Sequence, residues 1–258
     1  MTDSATTQPQ TKFKILLIGD NCKDIYQYGT IDRLSPEAPV PVFVPTYAEE
    51  SDGMAGNVFN NLEALGCEVN YLFGETSTKT RLIDQRSQQQ IVRIDNDIIS
   101  DPLTFETDIP NVYDAVVVSD YNKGTVSYEL IEELIELSIP IFIDTKKTDL
   151  ERMQGAWVKI NELEYSKIKS ECSGLIVTRG AKGADAVYHE YSSKAPRVEV
   201  VDVTGAGDTF LAALVYNYLH TKDIKRAMDF ANQAAAVTVQ HVGCHAPTVE
   251  EINTKCNK

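Results

Sequence analysis

Short apolar runs alternate with stretches of helical period along this chain. Residues 13–19 (FKILLIG) read as a buried strand that delivers Asp20 at its carboxyl end. Residues 115–119 (AVVVS) read as a second strand ending at Asp120, 139–143 as a third ending at Asp144, and 175–178 as a fourth ending at Arg179-Gly180. Between them, residues 55–65 place Val58, Leu62 and Leu65 on one helical face, with Gly66 as a C-terminal cap. Residues 127–137 form an amphipathic helix whose core residues are Leu130, Leu134 and Leu137 and whose N-cap is Ser127. Further helices are expected from Gly207 to about Leu219 and from Asp223 to about His241, and Thr248 and Glu251 have capping-box spacing for a last short one.

Strands that alternate with helices predict an α/β fold: a mostly parallel central sheet covered by helices on both faces, in three layers. Such sheets bind ligands along the carboxyl edge of their strands, where Asp20, Asp120, Asp144 and Thr178 gather. Two segments break the rhythm. Residues 40–47 (VPVFVPTY) carry prolines suited to an edge strand, and residues 71–94 alternate apolar with polar positions. Together they predict a small β flap, with lid segments at about 38–52 and 71–95 of a single domain that spans 13–258. Residues 1–12 are polar and read as a flexible tail.

Composition narrows the class. Hydrophobic residues make up 43% of 258, enough for a large core. A formal net charge of −14 argues against a general affinity for nucleic acid or an anionic membrane. No apolar run approaches the roughly 20 residues that cross a bilayer. Five cysteines without C-x-x-C spacing fit reduced thiols and a cytoplasmic location. His241 and His245 straddle Gly243 at a helix end and do not make a metal site, which needs more ligands.

The chemistry concentrates in residues 202–210, Asp-Val-Thr-Gly-Ala-Gly-Asp-Thr-Phe, followed by the apolar run LAALV. Gly205 and Gly207 flank Ala206 where a helix starts, and unpaired amides at such a start receive phosphate. Asp208 stands beside them, placed to take a proton from a hydroxyl that faces a phosphoryl group. The pattern suits a kinase acting on an alcohol.

These residues resemble the ribokinase (pfkB) family of sugar kinases, whose signature is D-x-x-G-A-G-D. Within that family the chain is most similar to the kinase domains that act on D-glycero-β-D-manno-heptose 7-phosphate. The similar text includes Ile18-Gly19-Asp20, Asp24, RLSPEAPVPV at 33–42, Gly53-x-Ala55-Gly56-Asn57, QQQIVRID at 88–95, SDYNKG at 119–124, Asp144-x-Lys146, Asn161-x-x-Glu164 and Thr178-Arg179. The resemblance implies a ribokinase-like fold and ATP with Mg²⁺ as cofactors. By it Asp208 is the general base, and Gly205, Ala206 and Gly207 form an anion hole for the transferring phosphoryl group. Asn161 and Glu164 would place Mg²⁺ and the ATP phosphates through water. Thr178, Gly180, Gly183 and Asn232 would face the nucleotide. Asp20, Gly53 and Asn57 would face the sugar hydroxyls, and Lys146, Arg81, Arg86 and Arg93 are candidates for the sugar's own phosphate. The implied reaction phosphorylates the anomeric hydroxyl of heptose 7-phosphate, giving the 1,7-bisphosphate that feeds ADP-heptose and lipopolysaccharide precursors. Its partners are small molecules, and the flap could pair two copies into a homodimer.

The chain also departs from the family. Met54 stands where a glycine is usual, and the stretch after Phe73 runs almost directly into the flap, as though a helix and its neighbouring strands were deleted. The nucleotidyltransferase half of the bifunctional heptose enzyme has no counterpart in the sequence. These departures keep two alternatives open: a kinase of another sugar or sugar phosphate, and a weakened kinase fold kept for binding or assembly.

Overall fold

The computed structural model describes residues 12–104 and 112–255. The expected tail lies outside them except for Lys12, as does Cys256. The backbone of the molecule is one mixed sheet. Its strands are β1 (Lys14–Leu34), β2 (Pro41–Met54), β3 (Glu68–Asp84), β4 (Gln90–Asn96), β5 (Ala115–Asp120), β6 (Ile141–Thr145), β7 (Trp157–Asn161), β8 (Leu175–Thr178), β9 (Ala184–Ala186) and β10 (Tyr191–Ser193). They lie in the order β10-β9-β8-β7-β6-β5-β1-β3-β4, with β2 also paired to β1. The run β3-β1-β5-β6-β7-β8 is parallel throughout.

The period of two along the central strands explains the layers. Ile15, Leu17, Ala115, Val117 and Phe142 join one buried cluster, while Leu16, Ile18, Val116, Val118 and Ile143 join another. The first cluster is covered by helices α1 (Ala55–Ala64), α4 (Ala206–Thr221), α5 (Ile224–Thr238) and α6 (Val249–Lys255). The second is covered by α2 (Tyr128–Ile135) together with Leu150 and Met153. A four-residue helix, α3 (Glu162–Tyr165), follows β7. Helix α4 is buried almost all round, Phe210 through Val215 without a break, because it packs between the sheet, α1 and α5. Ser127 caps α2 by accepting from Leu130 N–H, and the Thr248 and Glu251 pair caps α6 as its spacing predicts.

One expectation of the fold needs correction. The first strand does not end at Asp20. β1 continues to Leu34, pairing with β2 on one side and with β3 on the other out to Gly29 and Asp84. Its apolar alternation stops at Ile18, so the outer half is held by neighbours that are distant in sequence and leaves no local mark. The segment 71–94 resolves into parts of two strands, β3 and β4, which pair antiparallel from Thr78↔Asn96 to Ile83↔Gln90. Strand β7 leaves little mark in the sequence, because Lys159 interrupts its apolar pattern.

Candidate active site

The carboxyl ends of β5 through β8 and the start of α4 enclose a cleft of about 470 Å³. Its lining includes Tyr121, Asp144, Lys146, Lys159, Asn161, Thr178 and residues 205–208. Gly205 sits at φ +78°, the left-handed conformation that lets the chain turn into α4 without a side-chain cap. The first intrahelical bond is Thr209 N–H to Gly205 O at 2.9 Å. The amides of Gly207 and Asp208 therefore have no acceptor within the helix, and open amides at a helix start are suited to receiving an anion.

Asp208 is 8% exposed and both of its oxygens accept hydrogen bonds. Asn57 Nδ2 donates to Oδ2 at 2.7 Å, and Tyr121 OH donates to Oδ1 at 3.1 Å. Burial pushes the Asp208 carboxyl up to about 6; Asp144 adds to the rise, while the Asn57 and Tyr121 bonds and Lys159 oppose it. A carboxylate has roughly four lone-pair sites, so one hydroxyl can still be received. Asn57 is fixed by buried partners: Asn61 Nδ2 donates to its carbonyl at 2.8 Å, and Asn61 in turn accepts from Thr209. This chain of amides and hydroxyls ties α1 to α4.

Asn161 and Glu164 form a capping box on α3, each side chain accepting from the other's backbone N–H at 2.8–2.9 Å. Glu164 Oε1 also accepts from Lys146 Nζ. Lys146 lies 5.1 Å from the centre of the Tyr121 ring. Deeper in the cleft Lys159 Nζ donates to Asp144 Oδ2 at 2.6 Å, a pair that is almost wholly buried. Asp144 Oδ1 is buried without a partner.

Thr178, Gly180, Gly183 and Asn232 line the far side of the cleft. Gly180, Val203, Ala206, Asn232 and Ala235 are shared with an adjoining cavity of about 400 Å³, whose walls are mainly apolar: Ala195, Pro196, Val198, Val200 and Val239. A flat heteroaromatic ring is the kind of group such walls accept.

The sugar-side expectations fare unevenly. Asn57 is in contact with Asp208, as described. Gly53 lies away from the cleft lining, against the carboxylate of Asp24: a Cβ on it would meet Asp24 Oδ2 at 2.3 Å. Asp20, expected at the sugar hydroxyls, is 1% exposed and turned inward. Its carboxylate accepts from the backbone N–H groups of Tyr121, Lys123 and Thr125, so it shapes the loop that carries Tyr121. Asp120 is likewise internal, accepting from Thr145 and Asn122 and paired with Lys147. Arg81, Arg86 and Arg93 lie outside the cleft lining, paired with Asp24, Asp32 and Asp95. Met54 adopts φ 52° and ψ −131° at the start of α1, a strained conformation for a side-chain-bearing residue. Tyr121 carried a motif but no assigned role, and Lys159 was missed. A lone lysine inside an apolar strand, two residues before Asn161 and so on the same face, is the signal that could have found it.

A family model described as pfkB family carbohydrate kinase matches residues 147–251. The bifunctional protein HldE of Nitratiruptor is 38% identical over an alignment that takes in 93% of this chain and 64% of that protein. HldE of Helicobacter acinonychis is 31% identical, with 93% and 65% covered. The chain thus spans less than two thirds of the length of these relatives. The first alignment runs to 300 positions, more than the 258 residues present, so the relative carries segments that this chain lacks. Among solved structures, ribokinase from Thermotoga maritima superimposes with a TM-score of 0.69 at 16% identity, covering 95% of this chain and all of the other. A ligand-free nucleoside kinase from Burkholderia thailandensis gives 0.70 at 19% identity, with 93% and 99% covered.

Proposed function

Because the chain belongs to the pfkB family of carbohydrate kinases, we propose that it transfers the γ-phosphoryl group of ATP to the anomeric hydroxyl of a sugar phosphate, D-glycero-β-D-manno-heptose 7-phosphate. The observation that carries this reading is Asp208, a buried carboxylate oriented by Asn57 and Tyr121 beside the open amides of α4. Asp208 takes the hydroxyl proton as the oxygen attacks phosphorus, and ADP leaves. The amides of Gly205 and Gly207 donate to the phosphoryl oxygens, where charge is spread in the transition state, whereas the Ala206 N–H is already given to Val203 O at 3.3 Å. The apolar cavity beside Gly180 and Asn232 takes adenine, with Thr178 and Gly183 on the nucleotide's side. Asn57, which holds Asp208, and Lys146, which lines the cleft, are the residues offered to the sugar, with segments at about 38–52 and 71–95 as its lid; Gly53, packed against Asp24 outside the lining, is not given that role.

Magnesium fits the donors present, all of them oxygen. Among the described residues no cluster of three or more His, Cys, Asp or Glu could cage a metal. Both Glu164 oxygens are engaged, whereas the partnerless Asp144 Oδ1 has capacity to spare. Asp144 directly, and Glu164 and Asn161 through water, would hold a Mg²⁺ that supplies charge neutralisation to the phosphates. Free Cys22, Cys67 and Cys172 and the need for ATP support a cytoplasmic location. Among the described residues no helix is long and apolar enough to cross a membrane. Exposed Val44, Tyr47, Val92 and Ile94 on β2 and β4 support self-association through the flap.

Incubation with Mg·ATP and heptose 7-phosphate, with fructose 6-phosphate and ribose as competitors, tests the substrate. The expected product is the 1,7-bisphosphate. Turnover of another sugar in its place would move the assignment to a kinase of another sugar or sugar phosphate. The base also sets a pH profile. Asp208 must be ionised, so kcat/KM is expected to fall about tenfold per pH unit below about 6 and to level off above it. Tyr121→Phe removes a donor that favours the ionised form, so the acid limb should move to higher pH. Activity at pH 6 then drops several-fold more than at pH 8.5. Two parallel profiles would show that the Tyr121 hydroxyl does not tune the base.

A further inference from the structure

We propose that Lys159 is a further catalytic residue, whose ammonium group binds the γ-phosphoryl group of ATP as it is transferred. The inference rests on the ATP-kinase reading and extends it to a residue on the inner wall of the cleft.

A polyphosphate entering a chain of net charge −14 needs local cations. Among the residues that line the cleft, only Lys146 and Lys159 are cationic. Lys146 sits toward the rim, with 36% of its side chain exposed, and is bound to Glu164. Lys159 has 5% of its side chain exposed. Its position is defined by α4: a Cβ built on Gly207 would come within 3.1 Å of Nζ. The ammonium therefore flanks the helix turn that lines the cleft at residues 205–208, and Gly207 leaves it room.

The hydrogen bonding of Lys159 is incomplete. An ammonium group has three donors, and one is used on Asp144 Oδ2. Among the described residues no acceptor is recorded for the other two. Buried charge with unused donors is costly, and the partnerless Asp144 Oδ1 on the same ion pair adds to the cost. The unused donors of Lys159 suit a place where a phosphate oxygen arrives, whereas the partnerless Asp144 Oδ1 is an acceptor left for a cation. Asp144 holds Lys159 in place through the 2.6 Å hydrogen bond; the phosphoryl group then takes up the free donors.

The step balances. The bond from the anomeric oxygen to the γ-phosphorus forms, and the bond from that phosphorus to the β–γ bridging oxygen breaks. The hydroxyl proton goes to Asp208, and ADP leaves with the electron pair of the broken bond. Lys159 gains and loses no proton; it neutralises charge on the moving group, and its contact is lost once only ADP remains.

The test uses the whole chain and needs no sugar. Mg²⁺ complexes of ADP and of the β,γ-imido analogue of ATP are titrated calorimetrically into the unmutated protein, Lys159→Met, Lys159→Gln and Lys159→Arg. Lys159→Gln keeps a donor on Asp144, so it guards against a Met variant that fails to fold, and melting curves identify that failure. The expected result is a tenfold or greater loss of affinity for the imido analogue in the Met and Gln variants. ADP affinity stays within about twofold and Lys159→Arg recovers part of the preference, since the new contact is a charge-assisted hydrogen bond to the terminal phosphate alone. Equal losses for both nucleotides, or none for either, would overturn the proposal and leave the kinase reading intact. No binding of either nucleotide by the unmutated protein would overturn both.

Discussion

Asp208→Asn is expected to abolish sugar phosphorylation and, at pH 8, to make the protein more stable. Loss of a general base costs about 10²–10⁴ in rate, and the amide has no basicity to replace it. The stability gain follows from burial. The Asp208 carboxyl titrates near 6 in the fold and near 3.8 when unfolded, so the native state holds this proton more tightly. Stability from this group is therefore present at low pH and is lost as pH rises from about 4 to 6. Above that range, keeping the group ionised costs of order 3 kcal/mol. Asparagine removes the buried charge yet can still accept from Asn57 and donate to the Tyr121 oxygen. We expect a melting temperature several degrees higher at pH 8 and a gain that shrinks toward pH 4. Turnover within tenfold of the unmutated chain would remove Asp208 from the base role. A melting temperature lowered equally at both pH values would mean that the carboxylate is structural.

Gly205→Val is expected to lose about 10² in kcat and several degrees of melting temperature together. At φ +78° a β-branched residue carries strain of order 1–3 kcal/mol. Its Cβ would also stand 2.8 Å from Asn57 Nδ2 and 3.2 Å from Cys244 Sγ. Asn57 must then withdraw from Asp208 Oδ2, and the start of α4 must shift away from the phosphoryl position. Gly205→Ala, with the same φ but no branch, should fall between. A Val variant that melts lower yet turns over at the normal rate would separate the turn from the chemistry.

Much of this site was legible before any coordinates. The apolar runs of β5 and β8, the caps Ser127 and Thr248, and the glycine turn before α4 are local signals, because each depends on neighbours within a few residues. Asp208 could be found because its turn and its helix are contiguous in sequence. Asp20 shows the limit: a carboxylate at a strand end looks the same whether it faces a ligand or, as here, three backbone amides 101 to 105 residues away.

The sequence by itself determined the alternation of elements, the three layers, the helix that starts at the glycine turn and the carboxylate beside it, since periodicity and backbone conformation are written in consecutive residues. Only the tertiary structure decided that β1 runs on to Leu34, that Arg81, Arg86 and Arg93 are matched by acids, and that Asn57, Tyr121, Asp144 and Lys159 gather around Asp208. Those facts depend on which strands lie side by side and how far each side chain is drawn from water. Pairing register and burial are properties of the whole packed chain, and no window of the sequence contains them.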